Sequence, residues 1–233
     1  MKTFIHSPSR LRHFAATAIV AAVTAGVVAG CATTPPSSET QKLVGDARTT
    51  LNNFLRDPDQ TWIQQNLNRA RGVLIAPQVV RAGFIFGGSG GRGVLVARDG
   101  RTWAGPAFYD LATVSAGFQA GVDVSEVVVV VMTEKGLNSL LSPSVKFGGD
   151  ASITAGPVGA GAAGTITADL VAFARSKGVY GGLNLDGSLV NVNDGWNSAY
   201  YGRSVLPTDI LIRKTVTNPN AAPLLQEVAS ATR

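Results

Sequence analysis

Apolar side chains recur at helical spacing in the part of the chain that follows residue 38. One face of the predicted helix carries Leu43, Ala47, Leu51, Phe54 and Leu55. Ser38 and Gln41 have the spacing of a capping box, and Asp57-Pro58 marks the predicted end of this helix. A second helix is predicted between its N-cap Asp59 and Gly72, with an apolar face of Trp62, Ile63, Leu67 and Ala70.

The period changes from Val73 onward, where β-branched and aromatic residues gather in short runs that Gly, Pro and Asp interrupt. These runs predict strands: VLIAP, AGFIFGG, GVLVA, SAGFQAG, EVVVVVMT, ASITAGPV, DLVAFAR, VYGGLNL and SLVNV. Turns are predicted at 89–92 (SGGR), at Asp99-Gly100 and at Asp186-Gly187. The valines of 127–131 predict a strand buried on both faces, because an exposed run of this kind promotes aggregation.

Further helices are predicted among and after the strands. Thr133 is the predicted N-cap of a short helix that ends before Pro143. Three helical pieces follow within 194–233, with Asp194 and Asp209 as predicted caps: DGWNSAYYG, PTDILI and AAPLLQEVASA. Strands joined by tight turns, with helices gathered at the ends, predict an α+β fold. We expect an antiparallel, barrel-like β-sheet with N-terminal and C-terminal helices.

The start of the chain has the pattern of an export signal. Residues 1–13 are basic, and residues 14–29 are apolar and uncharged. The sequence VAGC that follows resembles the lipobox of bacterial lipoproteins, where the chain is cut before the cysteine and the sulfur receives diacylglycerol. The predicted organisation is a signal peptide over 1–30, a lipidated Cys31 with a flexible tether over 31–38, and a single domain over 39–233.

An uncleaved membrane anchor is the alternative interpretation of this segment. The run from Phe14 to Gly30 has 17 residues, whereas a membrane-spanning helix needs about 20. Ala32 occupies the position where an Asp is the usual inner-membrane retention signal of lipoproteins. We therefore expect the protein in the outer membrane, held by its acyl chains on the periplasmic side.

Removal of the signal changes the chemistry that the chain can perform. Residues 31–233 carry 17 basic and 15 acidic side chains, a net charge of +2, and lack both His6 and His13. The small net charge argues against a nucleic-acid partner. The absence of histidine and of a free cysteine excludes Ser-His-Asp and Cys-His nucleophiles, and zinc sites built from His or Cys. We expect no enzymatic activity, no cofactor and no metal.

Three other patterns suggest sites, each with a plainer interpretation. The arrays 88–93 and 159–164 match G-x-G-x-x-G, but strand-favouring residues follow both, which favours tight turns and close packing over nucleotide binding. The aspartates fall at predicted turns and caps, and no spacing singles out a catalytic pair. The candidate contacts for an anionic lipid headgroup are Arg69, Arg71, Arg81, Arg175 and Lys177. The alternative for these five is an ordinary solvated face.

Five blocks of the sequence resemble the SYLF domain, also described as lipid-binding and as the actin-binding domain of fungal endocytic proteins. They span about 60–213 and read RARGVLIAPQVVRAGFIFGGSGGRGVLVARDG, VVVVMTEKGLNSL, DASITAGPVGAGAAG, VAFARSKGVYGGLNLDGSLV and WNSAYYGR. In eukaryotic members the resemblance implies phosphoinositide binding and actin bundling, with lipid contacts partly in a basic amphipathic N-terminal helix. The corresponding helix here, roughly 39–56, is only mildly basic, which favours a general phospholipid role.

The leading hypothesis is a non-enzymatic outer-membrane lipoprotein whose SYLF-type domain binds phospholipid or another envelope amphiphile. Its partner is the membrane, through the anchor on Cys31. The alternative is an envelope protein-interaction or structural module with no lipid ligand beyond its anchor. A hydrolase or cofactor enzyme would require convergent carboxylates or lysines in one cleft, such as Asp150, Asp169 and Lys177.

Overall fold

The computed structural model describes residues 37–83, 86–100, 102–116, 121–159, 166–176 and 185–233. The elements in these ranges are α1 (Ser37–Arg56), α2 (Thr61–Asn66), β1 (Gly72–Gly83), β2 (Phe86–Asp99), β3 (Thr102–Ala116), β4 (Gly121–Val131), α3 (Glu134–Leu140), β5 (Ser144–Lys146), β6 (Ile153–Ala155), β7 (Leu170–Ser176), β8 (Leu189–Val192), α4 (Asp194–Tyr201), α5 (Pro207–Leu211) and α6 (Ala222–Ala231). Short 3-10 turns occupy Leu67–Arg69 and Pro219–Ala221. None of these helices has the length and apolar character needed to cross a membrane.

The eight strands form one curled sheet in the order β5-β8-β3-β2-β1-β4-β7-β6. Every pair in this order is antiparallel except β6 and β7, which run parallel. The long hairpin partners β1 and β2 lie at the centre, with β4 on the other side of β1. The α+β class and the barrel-like, mainly antiparallel sheet are thus confirmed.

Helices cover the sheet on both faces. Side chains alternate between the faces, so Val73 and Ile75 pack with α1, α2, α4 and α6, whereas Leu74 and Ala76 pack with α3 and α5. The valines of 127–131 are fully buried, as the sequence predicts for a strand enclosed on both faces. We refer to the two sides as the α1 face and the α3 face of the sheet.

The first helix is held on the sheet by its apolar side. Ala47, Leu51 and Phe54 of the predicted stripe are buried, whereas Leu43 and Leu55 are only partly buried. Val44, which the predicted stripe does not include, is buried with them. The helix begins at Ser37, so the last two residues of the predicted tether are helical. Asp59 is not the N-cap of α2, which is Gln60. The backbone N–H of Asp59 donates instead to Asp57 Oδ1 at 3.0 Å, which places Asp59 in the connecting turn.

The predicted turn at 89–92 is wrong, because these residues lie inside β2. Strands β1 and β2 pair from Gly72↔Ala97 to Gly83↔Gly87, and β1 contains a bulge between Ile75 and Gln78. The bulge pushes the backbone of β1 towards β2. A Cβ on Gly91 would lie 2.4 Å from the Gln78 carbonyl oxygen, so glycine is required here by close approach rather than by a turn.

Other local predictions are confirmed. Gly100 follows Asp99 in a turn with a φ of +60°, and Gly187 follows Asp186 with a φ of +79°. Thr133 caps α3 by accepting from the backbone N–H of Gly136 at 3.0 Å. The carboxylate of Asp209 accepts from the N–H of Leu206 at the start of α5.

The cap of α4 differs from the predicted one. Asn193, rather than Asp194, accepts from the backbone N–H of Trp196 at 3.0 Å. Asp194 is the first residue of the helix, where an acidic side chain still favours the helix dipole.

The packing of β2 on the bulge generates a stability prediction. Gly91→Ala is expected to lower the free energy of unfolding by about 1–3 kcal/mol, because the new methyl group meets backbone atoms that cannot move independently. Gly90→Ala is the matched control, since a Cβ there would lie 3.6 Å from its nearest neighbour. Urea denaturation followed by tryptophan fluorescence measures both variants. An equal loss of stability in both would contradict this account of Gly91.

Candidate functional site

The basic residues that the sequence singles out do not lie on one surface. Arg69 and Arg71 precede β1, whereas Arg81 lies near the end of this strand. A strand rises about 3.3 Å per residue, so Arg71 and Arg81 are separated by roughly 30 Å along the chain direction. Lys177 and Cys31 are outside the described residues. The candidate contacts therefore divide into separate groups.

Arg81 and Arg175 lie at the same end of the sheet but on opposite faces. On β4, the partner of Arg81 is Asp123 and the partner of Arg175 is Glu126. Residues three apart on a strand point to opposite sides, which places Arg81 on the α3 face and Arg175 on the α1 face. A single headgroup on one face of the sheet cannot contact both guanidinium groups.

Arg175 is held within the domain by two carboxylates. Its Nε lies 3.0 Å from Asp57 Oδ2, and its Nη1 lies 3.1 Å from Glu126 Oε2. Glu126 also accepts from Thr50 Oγ1 and Asn53 Nδ2 of α1. This network joins α1 to β4 and β7, and it compensates the charge of Arg175 inside the structure.

The remaining cations of the predicted set are more accessible. Arg71 Nη1 lies 3.5 Å from Glu134 Oε1, and both side chains are largely exposed, so this ion pair is weak. Arg69 is exposed and makes no ion pair within the described ranges. Among the predicted headgroup contacts that the structure describes, Arg69 and Arg71 are therefore the two exposed cations.

Asp169 belongs to a structural hydrogen-bond network. Its Oδ1 accepts from Thr133 Oγ1 at 2.6 Å, and its Oδ2 accepts from Ser152 Oγ at 2.8 Å and from Lys135 Nζ at 3.3 Å. The hydrogen bond from Thr133 is the largest of the effects that hold the pKa of Asp169 well below its usual range. The carboxylate therefore stays ionised and ties α3 to the strands beneath it.

The carboxylates of the enzyme alternative do not form a metal cluster. Asp150 Oδ2 accepts from the backbone N–H of Lys146 at 2.7 Å in the turn after β5. Over the described ranges, no group of three or more His, Cys, Asp or Glu side chains is placed to hold a metal ion. Asp169 and Asp150 thus both perform structural roles in this part of the chain.

An uncharged apolar surface lies on the α1 face, beyond the end of the helices. Strand register defines two neighbouring rows of residues there, which together we call the apolar stripe. One row is Leu189, Ala112, Gly90, Val80 and Val124, and the other is Val114, Gly88, Ala82 and Val122. The exposed fractions are 89% for Val114, 64% for Val122, 44% for Leu189 and 40% for Val80. None of these nine residues carries a charge.

The sequence contained a signal for this stripe that the turn prediction obscured. Small or apolar residues alternate along β2 and β3, as at Gly88 and Gly90 and at Ala112 and Val114. A turn at 89–92, as the sequence predicts, would divide β2 into two parts. The prediction therefore does not pair these residues with Val80. Only the pairing of five strands brings the rows together.

A charged groove of about 460 Å³ adjoins the apolar stripe. Val80 and Gly90 of the stripe line it, together with Arg92, Asp110 and Asp46. Arg92 Nε lies 3.3 Å from Asp110 Oδ1, and the guanidinium carbon lies 4.7 Å from the centre of the Trp196 ring. Asn193 Nδ2 donates to Asp110 Oδ2 at 2.8 Å. The groove thus places one oriented cation beside two carboxylates, at the edge of an apolar surface.

A second groove of about 490 Å³ lies between α1 and α6. It is lined mainly by polar side chains, including Asn52, Asn53 and Arg56. Arg48, another lining residue, has its Nε 3.4 Å from Glu227 Oε2. This groove is not bordered by the apolar stripe, so it offers a comparison site of similar size.

The fold and these surfaces define an α+β domain with an apolar stripe and a charged groove at one end of its sheet. A family model described as "Ysc84: Las17-binding protein actin regulator" matches residues 112–231. The chain therefore belongs to the Ysc84 family, and the resemblance to the SYLF domain is confirmed. No solved structure matches this chain.

Several curated proteins are similar to this chain. Protein YSC84 of Saccharomyces cerevisiae is 32% identical over 203 residues, which cover 83% of this chain and 43% of the relative. LAS seventeen-binding protein 3 of the same species is 30% identical, over 74% of this chain and 39% of the relative. SH3 domain-containing YSC84-like protein 1 of Bos taurus is 28% identical, over 73% and 51% respectively. The chain spans about half or less of the length of these relatives.

The Asp169 network generates a prediction about acid stability. Asp169→Asn is expected to lower the free energy of unfolding at pH 7 by about 2 kcal/mol, because hydrogen bonds to a charged group are lost. A lowered folded-state pKa contributes stability above the unfolded pKa of about 3.9. The deficit should therefore shrink as the pH falls below 4 towards the folded-state pKa.

Urea titrations between pH 7 and pH 2 measure this deficit. The control is Asp99→Asn, because Asp99 is largely exposed and its ion pair with Lys214 is a surface contact. Its effect should stay within about 0.5 kcal/mol at every pH. A deficit of Asp169→Asn that does not change with pH would show that the ionised carboxylate is not what stabilises the fold.

Proposed function

We propose that this protein is a non-enzymatic, lipid-anchored envelope protein whose domain binds phospholipid or another envelope amphiphile. The observation that carries the proposal is the apolar stripe, which stays exposed at one end of strands whose central residues are buried on both faces. A contiguous exposed apolar patch marks a site of interaction with a membrane, a ligand or a protein. The family name and the names of the relatives describe binding proteins, which supports a binding role over catalysis.

The size of the stripe favours a lipid over a protein partner. A standard stable protein interface uses about 20–30 residues on each side, whereas the stripe has nine. Acyl chains need a smaller contact surface, because each methylene group that leaves water contributes about 0.8 kcal/mol. An amphiphile can therefore use a narrow apolar strip that is too small for a protein interface.

The predicted anchor makes a weak intrinsic affinity sufficient. The compact unit begins at Thr34, three residues after Cys31. A short tether between an acylated cysteine and the domain raises the effective concentration of lipid at the binding surface. We propose the outer membrane as the location, with the domain on the periplasmic side, because Ala32 rather than Asp follows the cysteine.

A protein-interaction module is the second candidate. The family description names Las17 binding, and a relative in yeast is named a LAS seventeen-binding protein. Those words describe the family and that protein. For this chain they favour an envelope protein partner as the alternative to a lipid.

Lipidation is tested on the full chain expressed in a Gram-negative bacterium. Labelled palmitate is expected to enter the wild-type protein, which should fractionate with the outer membrane. Cys31→Ser should remove both the label and the membrane association. Ala32→Asp should keep the label and move the protein to the inner membrane. Undiminished labelling of Cys31→Ser would contradict the proposed anchor.

Lipid binding by the domain is tested with residues 32–233, which contain the whole compact unit of residues 34–233. Co-sedimentation with vesicles made from bacterial lipid extract is expected. The double variant Val114→Asp, Val122→Asp should reduce bound protein about tenfold or more, because a charge at each position opposes contact with acyl chains.

The control for this experiment is Val158→Asp. The exposed fraction of Val158 is 61%, similar to the 64% of Val122, but Val158 lies outside the stripe. Its variant should bind vesicles like the wild type. No binding to any bacterial lipid mixture would overturn the proposed function. Equal losses in the stripe variant and the control would show that lipid binds elsewhere.

A further inference from the structure

The polar row next to the apolar stripe has an unusual order of charges. Strand register places Asn191, Asp110, Arg92 and Gln78 side by side across β8, β3, β2 and β1. Asp46 of α1 lines the same groove. One cation is therefore set beside two carboxylates where the helical cover ends and the uncharged stripe begins. A surface with both charges at the edge of an apolar strip is complementary to a zwitterionic amphiphile, which has both charges in its headgroup next to apolar chains.

Arg92 is oriented so that part of its guanidinium group can bind an anion. Its Nε lies 3.3 Å from Asp110 Oδ1 and its guanidinium carbon lies over the Trp196 ring, two contacts that orient the side chain. Over the described ranges its terminal Nη groups make no hydrogen bond to protein. Arginine presents paired donors that match two phosphate oxygens, so a fixed guanidinium with free Nη groups favours a phosphate.

The two carboxylates favour a cation beside that phosphate. Asp46 and Asp110 both line the groove, and the side chain of each is nearly half exposed. Asp46 Oδ2 is paired with Lys42 Nζ, and Asp110 Oδ1 lies beside Arg92, so the charges at the groove balance and a headgroup that carries both signs fits better than a purely anionic one. An ammonium group next to the phosphate would keep this balance and could donate hydrogen bonds to the carboxylate oxygens.

We infer that this groove binds the headgroup of a zwitterionic phospholipid, with the phosphate on Arg92 and the ammonium group on Asp46 and Asp110. The inference rests on the proposed function and names its ligand class. Val80 and Gly90 belong to both the groove and the apolar stripe, so a headgroup in the groove places its acyl chains along the stripe. The site is built from strand and helix residues, independent of the five basic residues that the sequence suggested.

The test compares the binding of residues 32–233 to three kinds of vesicle. One contains phosphatidylethanolamine in a phosphatidylcholine background, one contains phosphatidylcholine alone, and one contains phosphatidylglycerol in phosphatidylcholine. The wild type is expected to prefer the phosphatidylethanolamine vesicles. The reason is that a primary ammonium donates three hydrogen bonds, whereas a choline headgroup has no N–H donor and a glycerol headgroup has no cation.

Three variants separate the two halves of the headgroup. Arg92→Gln should weaken binding to phosphatidylethanolamine vesicles about tenfold, since one charged hydrogen-bond site is lost. Arg92→Lys should recover only part of this loss, because lysine lacks the paired donors. Asp46→Asn, on the exposed side of α1, should shift the preference towards phosphatidylglycerol vesicles without loss of thermal stability.

The matched control is Arg48→Gln. Arg48 is half exposed and ion-paired like Arg92, but it lines the groove between α1 and α6. This variant should leave vesicle binding unchanged. Soluble glycerophosphoethanolamine, which has the same headgroup without acyl chains, should compete only at concentrations far above those of the lipid. Competition at equal concentration would overturn the assignment of the stripe to the acyl chains.

The outcomes distinguish the inference from the proposed function. If residues 32–233 bind no vesicle, the proposed function fails and the inference fails with it. If the domain binds all three vesicles equally, and Arg92→Gln and Asp46→Asn bind like the wild type, lipid binding stands and the headgroup site is wrong. Circular dichroism melting of each variant shows whether a loss of binding comes from unfolding. If an Arg92 variant is unfolded, the vesicle preference of Asp46→Asn alone tests the headgroup site.

Discussion

The centre of the sheet must be covered on both faces, and the rest of the structure follows from this constraint. The valines of 127–131 have no exposed area on either side of β4. Four helices cover one face and two helices cover the other. The network of Arg175, Glu126 and Asp57 closes the α1 side at the point where α1 ends. A partly buried ion pair of this kind contributes orientation more than net stability, because desolvation of the carboxylates offsets much of its attraction.

The same constraint locates the proposed binding surface. The sheet extends beyond the helices, and its composition changes where the cover ends. Within the cover the strands carry large apolar residues, and beyond it they carry the glycines, alanines and exposed valines of the stripe. The bulge in β1 and the close approach at Gly91 keep β1 and β2 paired through this region. The stripe is therefore part of the paired sheet and does not depend on the helices for its arrangement, as a preformed binding surface of the kind we propose requires.

Local signals in the sequence predicted local structure well, and long-range pairing was the part they could not supply. The Asp99-Gly100 turn and the Thr133 cap depend on adjacent residues, so their chemistry can be read directly. A glycine needed for a turn and a glycine needed for close approach look the same in one sequence, which is why Gly91 was misassigned. Arg81 and Arg175 share a charge, but only the register of β4 shows that they face opposite sides. The charged groove escaped prediction because its residues come from three strands and two helices.

The position of α1 limits which surfaces of this domain are available for contact with a lipid. The family resemblance implies lipid contacts partly through a basic amphipathic N-terminal helix. Here the apolar side of that helix is buried, with Leu51 and Phe54 fully enclosed. Lifting it from the sheet would expose Val44 as well, at a cost of roughly 5 kcal/mol or more, which is comparable to the whole stability of many domains. A surface that is already open avoids this cost, which is why we propose the stripe and its charged groove, rather than the apolar side of α1, as the place for an amphiphile.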